Sequence, residues 1–333
     1  MRCNLCQGQR ATPVYTVRGW PLVRCACGLV YVAADLAALD FAALYADRYP
    51  PEAFLPQRPR KVAKSHRELA RLERLTTGRR LLDIGCSYGF FLDTARQRGW
   101  SVAGVEVSAS AARFARETYG LPVHLGPLRA APYAPGSFDV VTIRHVLEHV
   151  PDPLGMVLDA RRLLAPGGLL LVAVPNFASL AARLFGPDWW WVDPPTHLYY
   201  FTRATLSRLL ARAGVVPLDY STERCDDETL AFYLVFVLNQ RLGVLRRLRG
   251  GTRCAPGADN GVAPRGLPST RGARLWTVVR RAGELVERLT WPLGTALDRA
   301  GLGAEVLVIG RWPAARARAV REPAAGPAPV RRS

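Results

Sequence analysis

Between residues 80 and 220, short apolar runs alternate with longer amphipathic stretches, the pattern of a parallel sheet covered by helices. Strand-like runs fall at 81–84, 102–107, 122–125, 138–143, 169–174 and 215–220. Helical periodicity falls between them at 90–98, 109–119, 156–164 and 202–213. A further helix is expected at 61–76, where Val62, Leu69, Leu72 and Leu75 lie near one face. After 138–143 a helix broken by Pro151 and Pro153 is expected, and Pro166-Gly167-Gly168 turns the chain into 169–174. The last strand-like run, 305–309, comes some 85 residues after the sixth, so an insertion precedes the final strand.

The ends read differently. Residues 1–34 are short and β-like, with runs at 13–17 and 28–32. Residues 35–78 form a helical linker, 79–222 the alternating core, 223–301 a basic helical insertion, 302–312 the last strand and 313–333 a disordered tail rich in Ala, Pro and Arg.

Composition narrows the function classes. Hydrophobic residues make up 49% of the 333, enough for a real core. No run approaches the roughly 18 apolar residues that span a bilayer. Residues 1–6 lack the apolar core of a signal peptide, so a cytoplasmic protein is expected. The net charge of +18 is concentrated, with ten Arg against one Asp in 241–281 and six Arg against one Glu in 311–333. The rest of the chain is nearly neutral, which argues against a simple nucleic-acid-binding protein.

The most informative stretch is Leu81-Leu82-Asp83-Ile84-Gly85-Cys86-Ser87-Tyr88-Gly89-Phe90-Phe91. An apolar strand runs into a glycine-rich turn that opens a helix, which suits close approach of a ligand to the backbone. Glu106 closes the second strand, 21 residues after Gly85, where a carboxylate can accept two hydrogen bonds from ribose hydroxyls. The dinucleotide fingerprint requires a further glycine where Ser87 stands, so a cofactor without pyrophosphate fits better.

Four motifs in order resemble the class I S-adenosylmethionine-dependent methyltransferases, particularly the bacterial group acting on small molecules and glycans. They are Asp83-x-Gly85-x-x-x-Gly89, Glu106-Val107-Ser108, Ser137-Phe138-Asp139-Val140-Val141 and Leu164-Ala165-Pro166-Gly167-Gly168. The resemblance covers roughly 79–222 and 302–312. It implies an α/β, Rossmann-like core of seven strands, the seventh antiparallel and inserted between the fifth and sixth. It also implies S-adenosylmethionine (SAM) as cofactor, with contacts from Asp83, Gly85, Cys86, Gly89, Glu106, Val107, Ser108, Leu128 and Arg144. Leu128 and Arg129 take the family's adenine-edge position, but the usual acid is absent there.

The acceptor side is marked by histidines. His145-Val146-Leu147-Glu148-His149 spells the inverted zinc-protease signature, but Pro151 ends any helix at once and that context does not match. In the resembled family such a stretch lies at the methionine end of the cofactor pocket. His145 or His149 is then a candidate general base, and orientation of the loop is an equal alternative. His197 is a further candidate base. It lies in the aromatic stretch 189–201, which either stacks on a sugar or quinone-like ring or simply packs. Asp193-Pro194-Pro195-Thr196 mimics the loop of amino-methylating DNA enzymes but follows the wrong strand.

Cys3-x-x-Cys6 and Cys25-x-Cys27 form two knuckles whose four thiolates match a structural zinc site, though the second pair is one residue short. The resemblance supports a zinc ribbon, since many such methyltransferases begin with one ending in Cys-Gly-Leu-Val-Tyr, as 27–31 do. Residues 229–292 combine apolar stripes with arginines. Three partners fit them: a homodimer or helical cap, the anionic inner face of a membrane, and, least well, nucleic acid. The expected activity is methylation of a hydroxyl on a small molecule or glycan. A sugar C-methyltransferase, an RNA-binding or RNA-modifying zinc-ribbon protein and a non-catalytic cofactor binder are the alternatives.

Overall fold

The computed structural model of the chain describes residues 2–36, 39, 54–223, 292 and 294–313. Two sheets organise them. The small one contains β1 (Ala11–Val17), β2 (Trp20–Cys25), β3 (Val30–Val32) and β9 (Tyr199–Tyr200) in that order, all neighbours antiparallel. The large one contains β4 (Arg80–Ile84), β5 (Ser101–Glu106), β6 (Val123–Leu125), β7 (Phe138–Arg144), β8 (Leu164–Pro175), β10 (Val216–Glu223) and β11 (Glu305–Arg311). Its order is β10-β11-β8-β7-β4-β5-β6. β11 runs antiparallel to both neighbours, and β4 to β8 are mutually parallel. The expected seven-stranded core with an inserted, antiparallel last strand is therefore present.

The period-2 geometry of the strands divides the core. Leu82, Ile84, Val141, Ile143, Leu170 and Val172 face one side, whereas Leu81, Val140, Leu169 and Leu171 face the other. Both faces are covered, so the central strands carry continuous apolar runs. One cover is α1 (Arg58–Leu75), α2 (Phe90–Gln97) and α3 (Ala109–Tyr119). The other is α4 (Pro153–Leu163), α6 (Arg203–Arg212) and, packed into the same core, Cys3, Leu5, Cys25, Leu29 and Tyr31 of the N-terminal ribbon. A short α5 (Leu180–Phe185) follows β8.

Caps explain the helix boundaries. Ser108 accepts the Ala111 N–H to start α3, and Gly120, at φ +64°, ends it. Asp152 accepts the Gly155 N–H and Pro153 takes the first turn of α4, so this proline starts a helix that the sequence pattern had it break. The turn expected at 166–168 is absorbed into β8, where a register shift opposite Phe138/Val140 and Gly167 at φ +81° make a bulge. Thr202 and Thr205 form a capping box for α6.

The ribbon is sheet-continuous with the core, because β3 pairs with β9, a strand contributed by the stretch 189–201. Arg208 and Arg212 of α6 donate to the carbonyls of Cys27 and Leu5. Arg18 bonds Asp193 at 2.9 Å, which gives the Asp-Pro-Pro-Thr stretch an anchoring role. The stripes expected at 229–292 and most of the expected tail lie outside the described residues. Among the described residues no helix is long and apolar enough to cross a membrane.

Candidate active site

The glycine loop lies at the carboxyl end of β4 and is held in left-handed backbone. Gly85 sits at φ +73°, and a β-carbon there would stand 2.3 Å from Val146 Cγ2. Gly89, at φ +79°, is the N-cap of α2, where a β-carbon would meet Leu121 and Ala115. No side chain caps α2, so its first-turn amides face outward at the positive end of the helix. Cys86 is 3% exposed and points into the core, with burial pushing its thiol well up. It belongs to the loop by its backbone alone.

Glu106 is buried and tied to this loop. Its Oε2 accepts the Ser87 N–H at 2.7 Å, and its Oε1 accepts those of Val107 and Ser108 at 2.9 and 2.8 Å. Burial raises its pKa, and the three amides oppose that rise. A carboxylate offers about four lone-pair positions, so one remains. The two ribose bonds expected from the sequence reduce to one unless an amide lets go. Ser108 spends its hydroxyl as a helix cap. Val107 is 60% exposed beside this acid, an open apolar surface. Leu128 is buried in a 3-10 turn, and Arg129 pairs with Asp159.

Asp83 and Arg144 turn out to be parts of a buried charge network. Asp83 accepts the Thr142 hydroxyl at 2.6 Å and Arg144 at 3.0 Å. The same guanidinium reaches Glu68 of α1 at 3.4 Å and lies over the Phe91 ring. With these partners Arg144 clamps α1 onto the sheet. Nearby, Lys64 donates to both oxygens of Glu305 at 2.6 Å. Burial disfavours that carboxylate, but Lys64 and His145 hold its pKa well below the usual range.

His145 and His149 are shifted in opposite directions. His145 adopts φ +53° and hydrogen-bonds Glu305 through Nε2 at 2.6 Å. Burial lowers its pKa, yet Glu305 and Glu148 raise it to about 9. The rise favours the protonated ring, which suits pairing with Glu305 better than base work. His149 is lowered to about 4, chiefly by burial, and is neutral. Its Nδ1–H donates to the Thr196 carbonyl at 3.0 Å, and the His197 Nδ1–H donates to the Trp191 carbonyl at 2.7 Å. Both rings are oriented through Nδ1 by main-chain carbonyls. They meet edge to face at 4.6 Å between centroids, and Trp191 stacks on both His145 and His197.

The Leu198 and Tyr199 N–H groups donate to the Glu148 carbonyl, which brings the two histidine segments together. Of the aromatic stretch, Trp189, Tyr199, Tyr200 and Phe201 are packed in the core, leaving Trp191 as the ring among the histidines. Sequence reasoning missed Lys64, Glu68 and Glu305. The only signal for Glu305 was one acid opening an apolar run.

The four ribbon cysteines converge, with all sulfurs within 4.8 Å of one another. Cys3 and Cys27 Sγ are 3.7 Å apart, Cys6 and Cys25 Sγ 3.4 Å. The short Cys25-x-Cys27 knuckle closes without loss of convergence.

Residues 54–219 match the family model described as a methyltransferase domain. The matched segment contains the glycine loop after β4 and the acid that ends β5. The chain belongs to the class I SAM-dependent methyltransferases. Among similar methyltransferases is the ubiquinone biosynthesis O-methyltransferase of Pseudomonas aeruginosa, 38% identical over 105 residues, which are 30% of this chain and 45% of the relative. The Caulobacter enzyme of the same name is 38% identical over 146 residues, 39% of this chain and 58% of that one. The chain thus spans about half the length of the curated relatives it matches. A crystal structure of a SAM-dependent methyltransferase from Archaeoglobus fulgidus superposes with a TM-score of 0.47 at 20% identity, covering 82% of this chain and all of that one.

Proposed function

We propose that the chain transfers the methyl group of SAM to a hydroxyl of a small-molecule or glycan acceptor. The observation that carries this reading is that Val146 packs against Gly85, so the His145–Glu148–His149 loop adjoins the glycine turn. A methyl donor on that turn and an acceptor hydroxyl beside the imidazoles of His149 and His197 would then be neighbours.

The residues fit the cofactor. Glu106 keeps one lone pair for a ribose hydroxyl, exposed Val107 offers a face to the adenine, and the uncapped start of α2 suits the methionine carboxylate. Bound SAM supplies an electrophilic methyl on a sulfonium. The chain's own contribution is alignment and proton management. His149 or His197 receives the acceptor proton, whereas His145 holds a polar acceptor group and Trp191 stacks on its ring. The similar ubiquinone biosynthesis enzymes are O-methyltransferases, which favours a hydroxyl over a carbon acceptor.

The test is label transfer from methyl-labelled SAM to panels of hydroxylated aromatics and sugars, with the product bond identified by NMR. An O–CH3 product supports the reading. Label at carbon supports sugar C-methylation instead, and label in RNA alone overturns both.

Cys3, Cys6, Cys25 and Cys27 would hold a structural zinc. Tetrahedral zinc with bonds of about 2.3 Å sets sulfurs about 3.8 Å apart, close to the observed 3.4 and 3.7 Å. Metal analysis of the purified chain should give about one zinc per chain, lost in a Cys3→Ser/Cys6→Ser variant. A folded, zinc-free chain would overturn the assignment.

A further inference from the structure

Residues 189–201 bring Trp191 and His197 to the acceptor side, and the N-terminal ribbon supplies the sheet that they join. β9 has one neighbour in that sheet, β3, with Tyr200 opposite Val30 and Tyr199 opposite Tyr31. The Val32 N–H extends the ladder to the Leu198 carbonyl at 2.9 Å. We propose that the ribbon is the scaffold of this acceptor segment, so that zinc filling the four-cysteine site orders residues 189–201 and leaves the cofactor site unchanged. This linkage rests on the proposed acceptor side and zinc site.

Packing repeats the pairing. Trp189, Val192 and Tyr200 are buried in one apolar cluster with Leu22, Val30 and Val32 of the ribbon, and Trp191 lies against it. At the tip of the β1–β2 hairpin, Arg18 bonds Asp193 at 2.9 Å. The Asp193 carbonyl accepts the Thr196 and His197 N–H groups, both at 3.0 Å, and the Thr196 carbonyl takes His149 Nδ1–H. Arg18 is half exposed, so its ion pair adds little by itself. The ladder and the shared cluster carry the coupling.

The cysteines sit where a metal governs that ladder. Cys25 is the last residue of β2, and Val30 is the first of β3. The second knuckle is therefore the turn between these strands, closed by the Cys25 N–H on the Leu29 carbonyl at 2.9 Å and the Gly28 N–H on the Cys25 carbonyl at 2.8 Å. Zinc shared by Cys25 and Cys27 with Cys3 and Cys6 would fix this turn, and β3 with it. A ribbon this small buries too little to hold its own order without a staple, and metal binding to such a unit is coupled to its folding.

The cofactor cradle closes on its own backbone instead. The Gly85 and Cys86 amides bond the Val105 carbonyl, and Glu106 takes the Ser87, Val107 and Ser108 amides. Loosening of the ribbon therefore reaches the acceptor segment first.

Hydrogen exchange of the full chain, read by mass spectrometry with zinc bound and after chelator stripping under reductant, tests the linkage. Stripping should speed exchange by about tenfold or more in two regions far apart in sequence, 11–32 and 189–201, and leave 80–106 protected. Added zinc should restore both. Cys3→Ser/Cys6→Ser should show the stripped pattern with zinc present, and protection at 80–106 reports that the variant is folded. SAM affinity, measured by calorimetry on the same samples, should not move. A change confined to residues 2–36, no change on stripping, or loss of protection at 80–106 together with SAM binding would overturn the proposal. A zinc-loaded chain that binds no SAM would strike the methyltransferase function instead, while the exchange pattern still decides the linkage.

Discussion

The two halves of the site are finished to different degrees. On the cofactor side, the Gly85 and Cys86 amides bond Val105, the Ser87 amide bonds Glu106, and Glu106 itself takes three amides. On the acceptor side, both Glu148 oxygens, His145 Nδ1 and Trp191 Nε1 are buried with no hydrogen-bond partner. A cradle built from its own backbone can stay the same whatever acceptor is used. Buried polar atoms without hydrogen bonds are costly unless a further group meets them.

The sharpest way to break the cofactor half is Gly85→Ala. The residue would sit at φ +73° with its β-carbon 2.3 Å from Val146, combining strain and overlap that cost about 1–3 kcal/mol each. Thermal unfolding should fall by many degrees and SAM binding should be lost. Normal stability would mean that the turn is not held as described.

Glu106→Ala comes next. Removing an acceptor shared by three amides and the ribose should weaken SAM binding by about 1–3 kcal/mol in calorimetry. Unchanged affinity would exclude Glu106 from the site.

Asp139 lies away from both halves and sets a baseline. It accepts Arg80 through the side chain and main chain, plus the Arg79 amide. Arg80 above all holds its pKa below the ordinary value, against the effect of burial. A depressed carboxylate contributes stability above its unfolded pKa of about 3.9 and loses it as pH falls through the folded value. Asp139→Asn should therefore cost about 1–2 kcal/mol at neutral pH and show less acid-side loss than the wild type. SAM affinity should not move.

Trp191→Ala should have the smallest effect on stability and should separate the halves most cleanly. It removes the ring stacked on His145 and His197, so turnover should fall about tenfold, roughly 1.4 kcal/mol, with SAM affinity retained. A parallel loss of SAM affinity would show that the halves are coupled.

The cofactor half was legible in the sequence because its information is local. A glycine turn after an apolar strand, and an acid ending the next strand, fix neighbours in a parallel sheet. Even there, the commitment of Asp83 and Arg144 to Glu68 and Thr142 was hidden, since α1 returns over the sheet from outside the motif. The acceptor half depends on pairings between distant segments. His145 meets Glu305, 160 positions on, and Tyr199–Tyr200 join a sheet begun near the N-terminus. No periodicity in the chain reports such meetings. The two-residue β9 is too short for any pattern, and the cysteine spacing did not reveal that the ribbon packs into the main core.

Calorimetric titration with SAM, set against titration with NAD, tests the central assignment most directly. Saturable SAM binding at about one equivalent, with no heat from NAD under the same conditions, is the expected result for a loop that lacks the pyrophosphate glycine. Saturable NAD binding without SAM binding would contradict it.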